Sequence, residues 1–112
     1  MEKRFMTHQH QNNIKILFVC HGNICRSPMA EFIMKDMVEK RRQADRFYIA
    51  SAATSREEIG NPVHYGTRNK LRQFGISTEG KRAVQMTKAD YDKYDYLIAV
   101  SYTHLDVYKR QP

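Results

Sequence analysis

A single stretch restricts the fold more than any other. An apolar run, Ile14-Lys15-Ile16-Leu17-Phe18-Val19, stops at Cys20, and Ser27-Pro28 follows a short loop later. A nearly unbroken apolar run of this length suits a strand buried on both faces. Ser fits a helix N-cap and Pro the first helical position. A buried strand that hands over to a helix opens a βαβ unit, so a parallel sheet is expected.

The rest of the chain continues that alternation. Residues 1–13 read as a polar, flexible leader in which His8 and His10 face solvent. Met29, Phe32, Ile33, Met37 and Val38 recur at helical spacing up to about Arg42 and are expected to face the core. Glu31 falls in the first turns of that helix, where negative charge suits the dipole. Residues 47–52 and 96–100 read as second and third strands. Asn61-Pro62 repeats the cap-then-proline pattern and predicts a helix to Phe74, closed by Gly75 in a left-handed conformation. Residues 81–85 read as a short extended piece, and Thr87 with Asp90 as a capping box. The expected fold class is α/β: a small parallel sheet flanked by helices on both faces, incomplete at the C-terminus. Residues 101–112 (Ser-Tyr-Thr-His-Leu-Asp-Val-Tyr-Lys-Arg-Gln-Pro) resemble a translated sequencing-adapter read-through. They are read as a non-native tail, leaving residues 14–100 as the N-terminal part of one domain.

Composition narrows the chemistry. A chain of 112 residues fits one domain with a modest core. The net charge of +7 is spread along the chain, and no basic run exceeds Lys40-Arg41-Arg42. A solvated basic surface is expected, with no nucleic-acid partner. The only cysteines are Cys20 and Cys25, which gives neither a disulfide framework nor a zinc pattern. No metal and no organic cofactor are expected. No segment approaches the roughly 20 apolar residues of a membrane span, and the N-terminus lacks a secretory pattern. A cytoplasmic protein without a membrane partner is expected.

The loop Cys20-His21-Gly22-Asn23-Ile24-Cys25-Arg26 carries the chemistry. Cys20 ends a strand and faces a helix start, where backbone N–H groups and the helix dipole favour negative charge. Such amides form an anion nest that lowers a thiol pKa and holds the oxygens of a phosphate group. The amides of His21, Gly22, Asn23, Ile24, Cys25 and Arg26 are the expected phosphate ligands. The planar fork of Arg26 can grip two oxygens at once. Gly22 allows a close backbone approach, and Asn23 tolerates a left-handed turn. The Ser27 hydroxyl is expected to donate to the Cys20 sulfur. Cys25 has two readings: a redox partner that shields Cys20, or a small packed thiol. Together these residues point to phosphate-monoester chemistry through a phosphocysteine.

Residues 17–31, from Leu17-Phe18-Val19-Cys20 through Ser27-Pro28-Met29-Ala30-Glu31, resemble the signature of the low-molecular-weight protein tyrosine phosphatases. The similarity continues through Ser51-Ala52-Ala53-Thr54-Ser55, Gly60-Asn61-Pro62 and Asp95-Tyr96-Leu97-Ile98-Ala99. The resemblance implies Cys20 as nucleophile, Arg26 as phosphate ligand, Asn23 ordering the loop and Ser27 tuning the thiolate. It implies a phosphotyrosine protein or small aryl phosphate as substrate and inorganic phosphate as product.

Two departures stand out. The family takes its general acid from an Asp-Pro-aromatic motif, and nothing here matches it. Asp106 lies in Leu105-Asp106-Val107, without the proline, and is not assigned; Asp90, Asp92 and Asp95 fit a helix and a strand edge. Where the family often has an aromatic beside the cleft, this chain has Arg56-Glu57-Glu58. Arsenate reductases share the fold and a similar loop, but Ile24 and Pro28 favour the phosphatase version, and no cysteine follows Cys25. Relatives that act on phosphoarginine tend to have threonine at the place of Ile24. A phosphate-binding module without turnover is the remaining alternative.

Overall fold

The computed structural model describes residues 13–101 and the strand at 105–109; residues 1–12 of the leader, His8 and His10 among them, lie outside the described residues. In chain order the elements are β1 (Ile14–Cys20), α1 (Arg26–Lys40), a 3-10 turn (Ala44–Arg46), β2 (Phe47–Ala53), α2 (Tyr65–Gln73), α3 (Lys88–Lys93), β3 (Tyr96–Val100) and β4 (Leu105–Lys109).

The strand order is β2-β1-β3-β4. β1 pairs in parallel with β2 on one side and β3 on the other. This is the parallel sheet expected from the apolar runs. β4 adds an antiparallel edge against β3, from Tyr96 opposite Lys109 to Val100 opposite Leu105. The sequence reading assigns no element to residues 101–112, and β4 lies within them.

Being central, β1 is buried on both sides, and its alternation divides the core. Ile16 and Phe18 join Ile49 on one face, under Ala30, Met34 and Val38 of α1. Leu17 and Val19 join Ala52 and Leu97 on the other, under Tyr94 and Met86, which flank α3. Helix α1 sits one residue out of the expected phase. Val38 packs inward as predicted, but Ile33 and Met37 are 41% and 48% exposed, and the inward positions belong to Ala30 and Met34. Glu31 is also buried and does not sit at the helix surface beside the dipole. A polar side chain took an inward slot that an apolar count assigns elsewhere.

Two predicted starts also move. α1 begins at Arg26 with Cys25 in the cap position and no side-chain cap, not at Ser27. α2 begins at Tyr65, where the His64 ring accepts from the Gly66 amide. Asn61 and Pro62 instead face the extended segment: Ala83 N–H donates to Asn61 O, and Pro62 forms a bridge with Arg82. Gly75 does close α2 with φ +75°. The Thr87–Asp90 capping box is present in both halves. Asp95 accepts from Lys15 N–H and so serves the strand edge.

The chain leaves β1 toward β2 on one side and later returns to β3 on the other. The C-terminal end of β1 is therefore the point where strand order reverses, the usual ligand crevice of an open α/β sheet. The loop bearing Cys20 occupies that point.

Candidate active site

Cys20 is the last residue of β1, and its sulfur turns toward the start of α1. The amides of Asn23 and Ser27 donate to Cys20 Sγ at 3.3 and 3.4 Å. Ser27 Oγ lies 3.0 Å from the same sulfur. Ser27 is the second residue of α1, so its amide is one of the orphan donors of a helix N-terminus. Burial pushes the Cys20 thiol up, but the Ser27 hydroxyl and the amides of Ser27, Asn23 and Gly22 outweigh it and hold the thiol below its ordinary value. The balance favours thiolate.

Asn23 organises this arrangement. It is 1% exposed and has φ 59°, a left-handed conformation that asparagine tolerates better than most residues. Its Oδ1 accepts from Val84 N–H at 3.1 Å, which fixes which end of the amide is which. The Nδ2 group then donates to Ser27 Oγ at 2.8 Å and to Ser51 Oγ at 2.9 Å. Because Ser27 Oγ receives that hydrogen, its own proton is left to point at the sulfur. The Ser51 hydroxyl donates to Glu31 Oε1. Glu31 is held by Lys35 at 2.6 Å and faces Lys81 at 3.6 Å. Lys81 also donates to Ser51 O at 3.0 Å; burial lowers its pKa and Glu31 opposes the shift. A buried polar chain thus runs from Cys20 through Ser27, Asn23 and Ser51 to Glu31.

Sequence reasoning finds the first members of that chain and misses Ser51, Glu31, Lys81 and Val84. Glu31 gave no signal of its own, because the apolar spacing of the helix sets its inward face elsewhere. The others become visible only when β2 and the 81–85 segment are brought beside the loop.

The loop forms a pocket of about 190 Å³ lined by residues 20–26 with Glu57 and Glu58. Arg26 lies at the first helical position and shares that lining. Gly22 meets a close neighbour: a Cβ there would stand 3.2 Å from Glu58 Cγ. The side chain of His21 is exposed and pairs with Glu57 at 3.2 Å. The His21 carbonyl accepts from Ser55 N–H at 3.1 Å and Ser55 Oγ at 2.9 Å. Ile24 O accepts from His64 N–H, and Cys25 Sγ accepts from Thr67 Oγ1 at 3.2 Å. Both cysteines are free thiols. Among the described residues no helix is long and apolar enough to cross a membrane.

A family described as low molecular weight phosphotyrosine protein phosphatase matches residues 15–111. The chain is 47% identical over 87 residues to the low molecular weight protein-tyrosine-phosphatase YfkJ of Bacillus subtilis, covering 78% of this chain and 56% of the relative. It is 42% identical over 90 residues to the mouse low molecular weight phosphotyrosine protein phosphatase, covering 80% of this chain and 56% of the relative. The crystal structure of YfkJ superposes with a TM-score of 0.76 at 46% identity, covering 80% of this chain and 57% of that one. The chain spans about half the length of the curated relatives it matches.

Proposed function

The chain belongs to the low molecular weight phosphotyrosine protein phosphatase family, and we propose that it hydrolyses phosphate monoesters, above all protein phosphotyrosine, through a phosphocysteine. The observation that carries this reading is the convergence of the Asn23 and Ser27 amides and the Ser27 hydroxyl on Cys20 Sγ. Such donors shift a thiol toward its thiolate, and the same loop offers its amides to an anion.

In this reading a phosphate enters the pocket with its non-bridging oxygens on the loop amides and the Arg26 fork. Cys20 Sγ attacks phosphorus, an S–P bond forms, and the P–O bond to the aryl group breaks with its electron pair leaving on the phenolate. Water then attacks phosphorus, the S–P bond breaks, and inorganic phosphate departs as the thiolate is restored. The amides stabilise the charge that spreads over the oxygens in both steps. Ser27 eases the second step by donating to the departing sulfur. The 112 residues contain no Asp-Pro pair, so a phosphate ester whose leaving group needs no proton is the appropriate probe.

The test is a rapid-mixing assay with para-nitrophenyl phosphate. We expect a stoichiometric burst of nitrophenolate and a phosphorus signal for the thiophosphate. Cys20→Ser removes the burst and lowers the rate by at least about 10³-fold. Phosphate binding without a burst in the parent chain overturns the enzymatic reading in favour of a binding module. Arsenite production with a thiol donor overturns it in favour of arsenate reduction.

A further inference from the structure

A second and larger concavity, about 500 Å³, shares no lining residue with the pocket above the loop. It lies between α2 and the 75–82 turn and is of a size that holds small ligands. Its wall is uneven in chemistry. Arg68, Arg72 and Arg82 line it together with Val63 and Ile76. Glu79 also lines it, while the Lys81 ammonium is turned away to Ser51 O and Glu31. Arg82 gives one N–H to Gly60 O at 3.3 Å.

Arg68 is the telling residue. Its guanidinium carbon sits 5.8 Å from the centroid of the Tyr65 ring. Its Nε is shut off from solvent and has no hydrogen-bond acceptor among the described residues. A buried N–H of a charged group left in that state is costly, and an oxyanion seated in the cleft that Arg68 lines would offset the charge of its guanidinium. Arg72 stands one helical turn on, at i+4, and so projects from the same side of α2.

We propose that this cleft binds a small molecule carrying a phosphate-type dianion on an apolar body. The anionic head sits on Arg68 and Arg72, whose forks match tetrahedral oxygens, and the body lies on Val63 and Ile76. The site is separate from the Cys20 loop and does not depend on turnover there.

The probe is phenylphosphonate, titrated into the isotopically labelled full chain and followed by amide resonances, with inorganic phosphate and citrate in parallel. The Cys20 loop accepts the same head group, but residues 20–27 and residues 62–82 report separately. We expect a saturable response in the second set, about tenfold tighter for phenylphosphonate than for inorganic phosphate. Arg72→Gln, at an exposed position, and Arg68→Met each weaken that response about tenfold and leave the loop response unchanged. A response confined to residues 20–27, or one at 62–82 that both variants retain, overturns the site. Equal binding of inorganic phosphate overturns the apolar body, and equal binding of citrate overturns the phosphate preference.

Discussion

Two loops leave the same end of the sheet from neighbouring strands, with Cys20 of β1 in register with Ala53 of β2, yet they are built in opposite ways. The β1 loop holds its shape with buried side chains: Cys20, Asn23 and Ser27 are all buried and bonded to one another. The β2 loop is exposed and charged, and it takes its shape from its neighbour. Thr54 N–H donates to Cys20 O, and Ser55 N–H to His21 O. Its acidic residues stand over the pocket without entering the buried network; Glu57 pairs with His21 while their side chains are 69% and 63% exposed. One loop fixes a geometry around the Cys20 sulfur. The other contributes charge around it, and charge in water is cheap to change.

The sharpest way to break the comparison is Asn23→Ala. It deletes the bonds to Ser27, Ser51 and Val84 and leaves alanine at a positive φ. Lost bonds and left-handed strain together cost about 2–4 kcal/mol. Urea denaturation reads this directly, and the Cys20 thiol should lose its lowered pKa in whatever fraction stays folded. A loss below about 1 kcal/mol would mean that the loop is held by its backbone alone.

Next in size is Ser27→Ala. The fold favours the thiolate, so the Cys20 pKa in the folded state lies below the unfolded value of about 8.5. The stabilisation this provides is fully present above that unfolded value and disappears as pH falls through the folded one. Removing the hydroxyl should raise the pH midpoint of iodoacetate alkylation at Cys20. It should also cost more stability in mild alkali than in mild acid. An alkylation midpoint that does not move would show that the amides alone set the thiolate.

The same contrast explains what the sequence could disclose. β1, β3, the Thr87–Asp90 capping box and the left-handed Gly75 follow from local pattern, and each stands where that pattern puts it. The local grouping of Cys20, Asn23 and Ser27 was legible for the same reason: they are close in the chain and their chemistry is complementary. The phase of α1 was not legible. Glu31 occupies an inward position because Ser51 and Lys81, far away in sequence, meet it there. Ser27 looked like a cap because serine usually is one, but here its hydroxyl serves sulfur and Asn23 instead of closing the helix. Asn61-Pro62 failed in a similar way: its backbone is taken by Ala83 and Arg82 from the extended segment, so the helix waits until Tyr65. In each case a long-range partner outbids a local preference.

The smallest expected effect lies in the second loop and tests whether its charge matters at all. Glu57→Gln removes one of the two carboxylates at the pocket mouth and an exposed contact with His21. Stability should change by less than about 1 kcal/mol, because an exposed pair is screened by water and salt. Binding should change in a charge-dependent way. A non-hydrolysable phosphonotyrosine peptide flanked by acids should gain about threefold in affinity in low salt, and one flanked by lysines should lose a similar factor. Both differences should fade as salt is raised, since the carboxylate acts across solvent and not through a buried contact. If the two peptides respond alike, Glu57 does not read the flanks. If the difference persists in high salt, Glu57 makes a desolvated contact with the peptide, and the β2 loop is closer in kind to its neighbour than its exposure suggests.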